Sequence, residues 1–203
     1  MEMKRFLKKL SSDTPTPGGG SASALAGALS ASLVSMTAGL SLKKGRLRKE
    51  AVKGIRRRAL AIQRRLLRAV DEDAKSYEAV LKAYRLPKNT ERERLVRTKA
   101  IQKASREATI IPQLVCQHAI LLLKDSKALI LNGNPNAISD AGVAAFLADA
   151  TLGGGLLNIG VNLDSITDRL FIKRMNLLMK RLARKRNHLM RGILSILIGI
   201  KRS

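Results

Sequence analysis

Between Arg46 and about Arg85 the apolar residues Leu47, Ala51, Ile55, Ala59, Ile62, Leu66, Val70, Ala74, Tyr77, Val80 and Tyr84 recur at steps of three and four without a break. That period belongs to a helix with one buried stripe. A helix of this length needs long partners to cover its stripe, and no extended alternating run of β-branched or aromatic residues appears elsewhere in the 203 residues. The expectation is an all-α chain. Long helices joined by short turns make an up-and-down bundle of about five long helices plus a short N-terminal one, with residues 1–203 as a single domain.

The breaks place the other helices. Glu2 to Leu10 reads as a short amphipathic helix. Ser11 to Gly20, with two prolines and three consecutive glycines, reads as a loop. From Ser21 to about Leu42 small residues (Ala24, Ala28, Ser32, Ser35) recur on one side and Leu25, Leu29, Leu33 and Met36 on the other, so this helix should be central and closely packed. After Leu86-Pro-Lys-Asn, Thr90 with Glu93 three residues on makes a capping box. The helix it opens runs toward Leu131, and Pro112 should kink or split it near Ile111. A further helix spans Ser139 to about Asn162, where Gly153-Gly-Gly155 implies close packing or a local distortion. Asp164 or Ser165 caps the last long helix.

Lysine and arginine number 39 against 15 acids, a formal charge of +24. Such a surface favours anionic partners: nucleic acid, an anionic membrane or a polyanionic ligand. The single cysteine, Cys116, excludes an intramolecular disulfide and sits in an apolar run as a packing residue. His118 and His188 have no metal-ligand spacing, and neither is read as catalytic. A reducing, cytoplasmic setting fits. Thr14 to Leu42 carries no charge, but it is rich in Ser, Gly and Ala rather than Leu, Ile and Val, which weighs against a signal peptide or a membrane span.

Three stretches concentrate polar chemistry. In the long helix, Asp73 falls on the apolar stripe, with Leu66, Ala69, Tyr77 and Val80 as its neighbours. A carboxylate there is either paired with one of the many arginines or held in a cleft with a tuned pKa. Pro17-Gly-Gly-Gly-Ser21, at the mouth of a helix, offers free backbone N–H groups to a ligand or serves as a flexible lead-in. It lacks the Gly-Lys-Ser/Thr ending of a phosphate-binding loop. Asn132-Gly-Asn-Pro-Asn-Ala-Ile-Ser-Asp140 packs helix stop, turn and helix start together, with Asn136 or Ser139 as the expected cap and Asp140 in the first turn. Ordinary interhelical turn chemistry accounts for the same residues.

Taken together, Pro15-Thr-Pro-Gly-Gly-Gly-Ser21, Asp71-Glu-Asp-Ala-Lys-Ser-Tyr77 with Tyr84-Arg-Leu-Pro-Lys88, and Asn132 to Gly142 resemble, in order and spacing, the cyclodeaminase/cyclohydrolase family. That family comprises the C-terminal domain of formiminotransferase-cyclodeaminase and the stand-alone methenyltetrahydrofolate cyclohydrolases. The likeness spans roughly Phe6 to Leu182. It implies an all-α fold, a homodimer or higher assembly, and a folate substrate with no metal and no added cofactor. Carried over by position, Pro17, Gly18, Gly19, Gly20, Ser21, Asp73, Tyr77, Asn136, Ser139 and Asp140 shape the site. The chain departs from the family in its basicity and in the looseness of Gly153-Gly-Gly155.

The reaction implied is hydrolysis of 5,10-methenyltetrahydrofolate to 10-formyltetrahydrofolate. Its methenyl carbon is an amidinium-like cation, so a carboxylate that stabilises it and takes a proton from water suffices. Asp140 or Asp73 is the expected base. Ser139, Asn136 and the amides after the glycines orient water and pterin, and Tyr77 packs on the ring or positions the proton path. The basic surface draws in the glutamate tail, a polyglutamate tail in particular. The nearest rival is cyclisation of 5-formiminotetrahydrofolate with loss of ammonia. A rival of another class is a basic helical nucleic-acid-binding protein, although five aromatics and no named motif weigh against it. A family member retained only as a structural or interaction protein is the third.

Overall fold

The computed structural model describes residues 2–200. Six α-helices follow in order: α1 Met3–Leu10, α2 Gly19–Ser41, α3 Lys49–Tyr84, α4 Glu91–Asn132, α5 Ile138–Leu163 and α6 Arg169–Ile200. A single 3-10 turn, Pro135–Ala137, joins α4 to α5, and no strand occurs among the described residues. The fold is an all-α helical bundle. Neighbours run antiparallel. The start of α2 meets the later part of α3 at Ser21 and Val70, while its end meets the turn before α5 at Ser41 and Asn134. α1 lies outside, pinned by the buried Phe6.

α2 and α5 form the inner pair. Both are long and apolar enough to cross a membrane, yet here they pack on each other and on α3 and α4. What they bury is small. Ala24, Ala28, Ala31 and Ala38 of α2 and Ala141, Ala144, Ala145 and Ala148 of α5 are all inside, while Leu29, Met36 and Leu40 of α2 face outward. Small side chains let two backbones approach closely, and larger side chains of the outer helices fill the remaining space. Leu66 of α3 and Leu122 and Leu123 of α4 are fully buried there, as are Leu152 and Ile159 in the later turns of α5 itself. Gly155 belongs to the same device. A Cβ at that position would press on the Cys116 sulfur and on the Pro112 carbonyl, so the glycine run serves close packing and α5 continues through it.

Three expectations need correction. The last long helix is capped by neither Asp164 nor Ser165: α6 opens at Arg169, and Asp168 Oδ1 accepts from the amides of Leu170 and Phe171 at 3.0 and 3.1 Å. Pro112 does not split α4, which runs unbroken from Glu91 to Asn132. Proline removes the bond to the carbonyl four residues back, and here the Asn162 side-chain amide donates to that carbonyl, Ala108, at 2.9 Å. A neighbouring helix therefore meets the cost. The cap of α5 is also different. Neither Asn136 nor Ser139 caps it; Asn134 accepts from the Asn136 amide at 3.0 Å and opens the 3-10 turn that leads into α5. The Thr90–Glu93 capping box forms as read.

Candidate active site

One end of the bundle opens into a cleft of about 320 Å³. Its floor is the start of α2, Gly18 to Gly20. One wall is α3, with Asp73, Ser76, Tyr77 and Val80. Opposite stand Ser105 and Ala108 of α4 and Asn158, Val161 and Asn162 of α5, with Ser165 at the rim. No lysine or arginine lines it, although the chain carries 39 of them. Asp73 is its one carboxylate.

The sequence builds this corner from helix ends. Gly18 takes the N-cap position of α2, and Gly19 and Gly20 are its first residues. The first amides of any helix lack partners within it. Gly20 also makes room: a Cβ there would run into the Asp73 carboxyl. Ser21 is fully buried, and its hydroxyl lies 2.9 Å from both Asp73 Oδ2 and the Val70 carbonyl. Asp73 is therefore held by a serine at a helix N-terminus and not by an arginine. Glu72 beside it takes Arg65 at 2.8 Å. Burial raises the proton affinity of Asp73 above that of an ordinary aspartate, and the Ser21 hydroxyl and amide pull less strongly the other way. A half-buried carboxyl set so is suited to exchange protons with a bound molecule.

The opposite wall is polar and neutral. The Asn158 amide donates to Gly154 O at 2.8 Å and the Asn162 amide to Ala108 O at 2.9 Å. The Ser105 hydroxyl is buried without a hydrogen-bond partner. Ser105, Asn158 and Asn162 are absent from the sequence expectation. The signal was there in part: two asparagines one turn apart stand in the otherwise apolar last turns of α5, and Pro112 frees a carbonyl that one of them meets.

The structure brings Gly18, Gly19, Gly20, Asp73 and Tyr77 to one cleft, with Ser21 behind Asp73. Pro17 is buried beneath, outside the lining. Within one chain the structure does not bring Asn136, Ser139 and Asp140 there. They sit at the first turn of α5, and Asn158 lies eighteen residues on, about 27 Å along the helix. Asn136 and Ser139 are exposed. The turn that carries them clasps the far end of the bundle: Asn134 N–H donates to Ser41 Oγ at 2.9 Å, and the amides of Arg46 and Leu47 donate to Asn132 O.

The remaining reactive side chains lie elsewhere. Cys116 is buried with its thiol pushed up to about 12 by burial, which leaves it unreactive. Burial, with Arg65 nearby, lowers the pKa of His118. Among the described residues no three His, Cys, Asp or Glu side chains cluster in reach of a common ion.

Comparison with known proteins places this geometry. The family model for formiminotransferase-cyclodeaminase matches residues 2–181. A methenyltetrahydrofolate cyclohydrolase of Methylorubrum extorquens is 39% identical over 171 residues, covering 83% of this chain and 82% of that protein. The formimidoyltransferase-cyclodeaminase of Rattus norvegicus is 32% identical over 83% of this chain, which spans 32% of the rat protein's length. A solved formiminotetrahydrofolate cyclodeaminase from Thermotoga maritima superposes with a TM-score of 0.88 at 26% identity, covering 98% of this chain and 97% of that one.

Proposed function

The chain belongs to the formiminotransferase-cyclodeaminase family, and on that premise we propose that it hydrolyses 5,10-methenyltetrahydrofolate to 10-formyltetrahydrofolate in the cleft around Asp73. It is an enzyme of folate one-carbon metabolism, as its relatives' names indicate. One observation carries the assignment to this cleft. In a chain of net charge +24, the cleft has one carboxylate and no cation. Such a site admits a cationic substrate, and the methenyl bridge is a delocalised cation.

Asp73 pairs electrostatically with that bridge and takes a proton from the attacking water. The new C–O bond gives a neutral tetrahedral adduct; it collapses as the bond from carbon to N5 breaks, N5 takes the proton that Asp73 carried, and the adduct's hydroxyl releases its proton to water as it becomes the formyl carbonyl. Amides of Gly19 and Gly20 face the adduct's oxygen. Tyr77 covers the ring, and Ser105 with the two asparagines meets the polar edge of the pterin. Enzyme-dependent loss of the methenyl absorbance tests this, with a Asp73→Asn variant as control. An undiminished rate in the variant removes Asp73 from the reaction. The cyclodeaminase reaction is the second reading, favoured by the named activity of the Thermotoga structure; ammonia release from 5-formiminotetrahydrofolate distinguishes it.

We further propose a homodimer that pairs through α5. Its outward stripe holds Val143 and Phe146 near one end, Leu157 and Val161 near the other, and Ala150, Gly153 and Gly154 between. An antiparallel pairing of this stripe with a second copy sets Val143 against Val161 and Phe146 against Leu157, with the small residues at the crossing. It also carries Asp140 of the second copy to the level of Asp164 and Ser165, at the cleft's rim. The homodimer thus gives Asn136, Ser139 and Asp140 a place beside a site they do not reach within one chain. Mixing inactive Asp73→Asn with inactive Asp140→Asn protein tests it: one intact site in each mixed dimer restores about a quarter of wild-type turnover. No restoration rules out a shared site.

A further inference from the structure

α6 has a face that the folate chemistry does not use. Between Arg169 and Arg191 it carries nine lysines and arginines and no acidic residue. Arg186 turns inward, onto both oxygens of Asp149, and Leu182, Leu189 and Ile193 anchor the same inner side in the core. Lys173, Lys180, Arg181, Arg184, Lys185 and Arg191 point outward, and none of them forms a salt bridge among the described residues. They follow one another along about 27 Å of a rigid helix. A shallow concavity of about 420 Å³ runs between Lys180, Arg181, Arg184 and Lys185. Like charges one turn apart destabilise a helix, so α6 folds against its own repulsion, and a polyanion laid along it would relieve this.

The chemistry of the stripe selects among polyanions. Besides the exposed His188 imidazole at the concavity, α6 has one aromatic ring, Phe171, and it is half-buried beneath Arg106. A single imidazole is no row of rings on which successive unpaired bases stack. Its apolar side is largely spent on the core; Leu170 and Leu177 stand outward beside the cations and Leu194 and Ile198 beyond Arg191, too scattered along the helix to insert together in a bilayer. What remains is a fixed row of cations matched to a regular row of phosphates. We propose that the outer face of α6 binds the phosphate backbone of double-stranded nucleic acid, without reading sequence and apart from the cleft, whose lining includes no residue of α6.

Fluorescence anisotropy with a labelled 30-base-pair duplex of arbitrary sequence, titrated from 50 to 200 mM salt, tests it. About six phosphate contacts give a slope of log K against log salt near −5. Replacing Lys180, Arg181 and Arg184 together by glutamine keeps helix propensity, leaves folate turnover unchanged and makes the slope shallower by about 3. Replacing Arg56, Arg57 and Arg64 on the exposed side of α3 removes the same charge and leaves the slope near its wild-type value. Equal losses from the two triple variants overturn the proposal, since general attraction to a basic protein then suffices. Tighter binding to phosphatidylglycerol vesicles, or displacement of the duplex by hexaglutamate at equal charge, also overturns it. The duplex titration does not depend on turnover, so its failure is separate from failure of the folate assignment.

Discussion

The two ends of α5 look alike in sequence and differ in what their polar groups do. Asn132 to Asp140 at the start and Asn158, Asn162 and Ser165 at the end are both rich in asparagine, serine and aspartate. At the start, key groups are spent on the chain's own backbone: Asn134 holds the amide of Asn136, and Ser41 holds the amide of Asn134. At the end, Asp73 across the cleft keeps a burial-raised proton affinity, and the Ser105 hydroxyl has no partner at all. Residue type does not separate a structural clasp from a reactive cleft. The hydrogen-bond account does.

The sharpest way to break the comparison is Asp73→Asn. At the cleft, turnover should fall by about 10²- to 10⁴-fold, the usual worth of a positioned proton acceptor. Stability should move the other way. Asp73 titrates higher folded than unfolded, so its favourable contribution is full below the unfolded pKa and is lost as pH rises through the folded one. Once ionised, the half-buried carboxylate costs stability, and asparagine relieves that cost while still accepting from Ser21. A melting temperature at pH 7 equal to or above wild type, alongside lost turnover, is the expected pair. A clear drop in melting temperature would make Asp73 a structural residue. Turnover of the wild type should also decline on acidification at a pH above the ordinary aspartate range.

Ser41→Ala probes the other end, with a smaller effect. It leaves the half-buried Asn134 amide without its acceptor, a loss of about 1 kcal/mol and a fall in melting temperature of about 2–4 °C. KM should move little, because Ser41 and Asn134 hold the turn from behind and neither is a group that the dimer would set beside the partner's cleft. A raised KM at unchanged stability would show that the clasp itself orients Asn136, Ser139 and Asp140 toward that cleft.

Much of this was legible beforehand, and the reasons are local. The α3 stripe, the Thr90 capping box and the breaks at Pro87 and Gly133 are written in short-range periodicity and turn chemistry, so the helices and the all-α bundle follow from them. The role of the clasp was not legible. Asn136, Ser139 and Asp140 are near Asp73 in motif order, but α5 is a straight rod that separates them, and only the position of α2 against both its ends reveals this. Ser105 and Asn162 were hidden for a related reason. Their meaning depends on a carbonyl that Pro112 frees and on a hydroxyl left alone, which are facts of packing between helices. The charge on α6 was visible at once, yet its confinement to one face emerged only when Arg186 turned inward.

The finest test of the comparison sets two unpartnered hydroxyls against each other. Ser105 and Ser126 are both in α4, both buried and both without a hydrogen-bond partner. Ser105 lines the cleft, and Ser126 does not. Removing a buried hydroxyl that has no partner costs the unliganded protein little and can stabilise it, so both alanine variants should melt at or slightly above wild type. Their kinetics should part. If the pterin supplies the partner that Ser105 lacks, Ser105→Ala forfeits a hydrogen bond worth about 1 kcal/mol, roughly a fivefold rise in KM with kcat little changed. Ser126→Ala should leave both constants alone. A rise in KM for both would mean that α4 shifts as a body, whereas no rise for either would return Ser105 to the core and leave the substrate to Asp73, Tyr77 and the two asparagines.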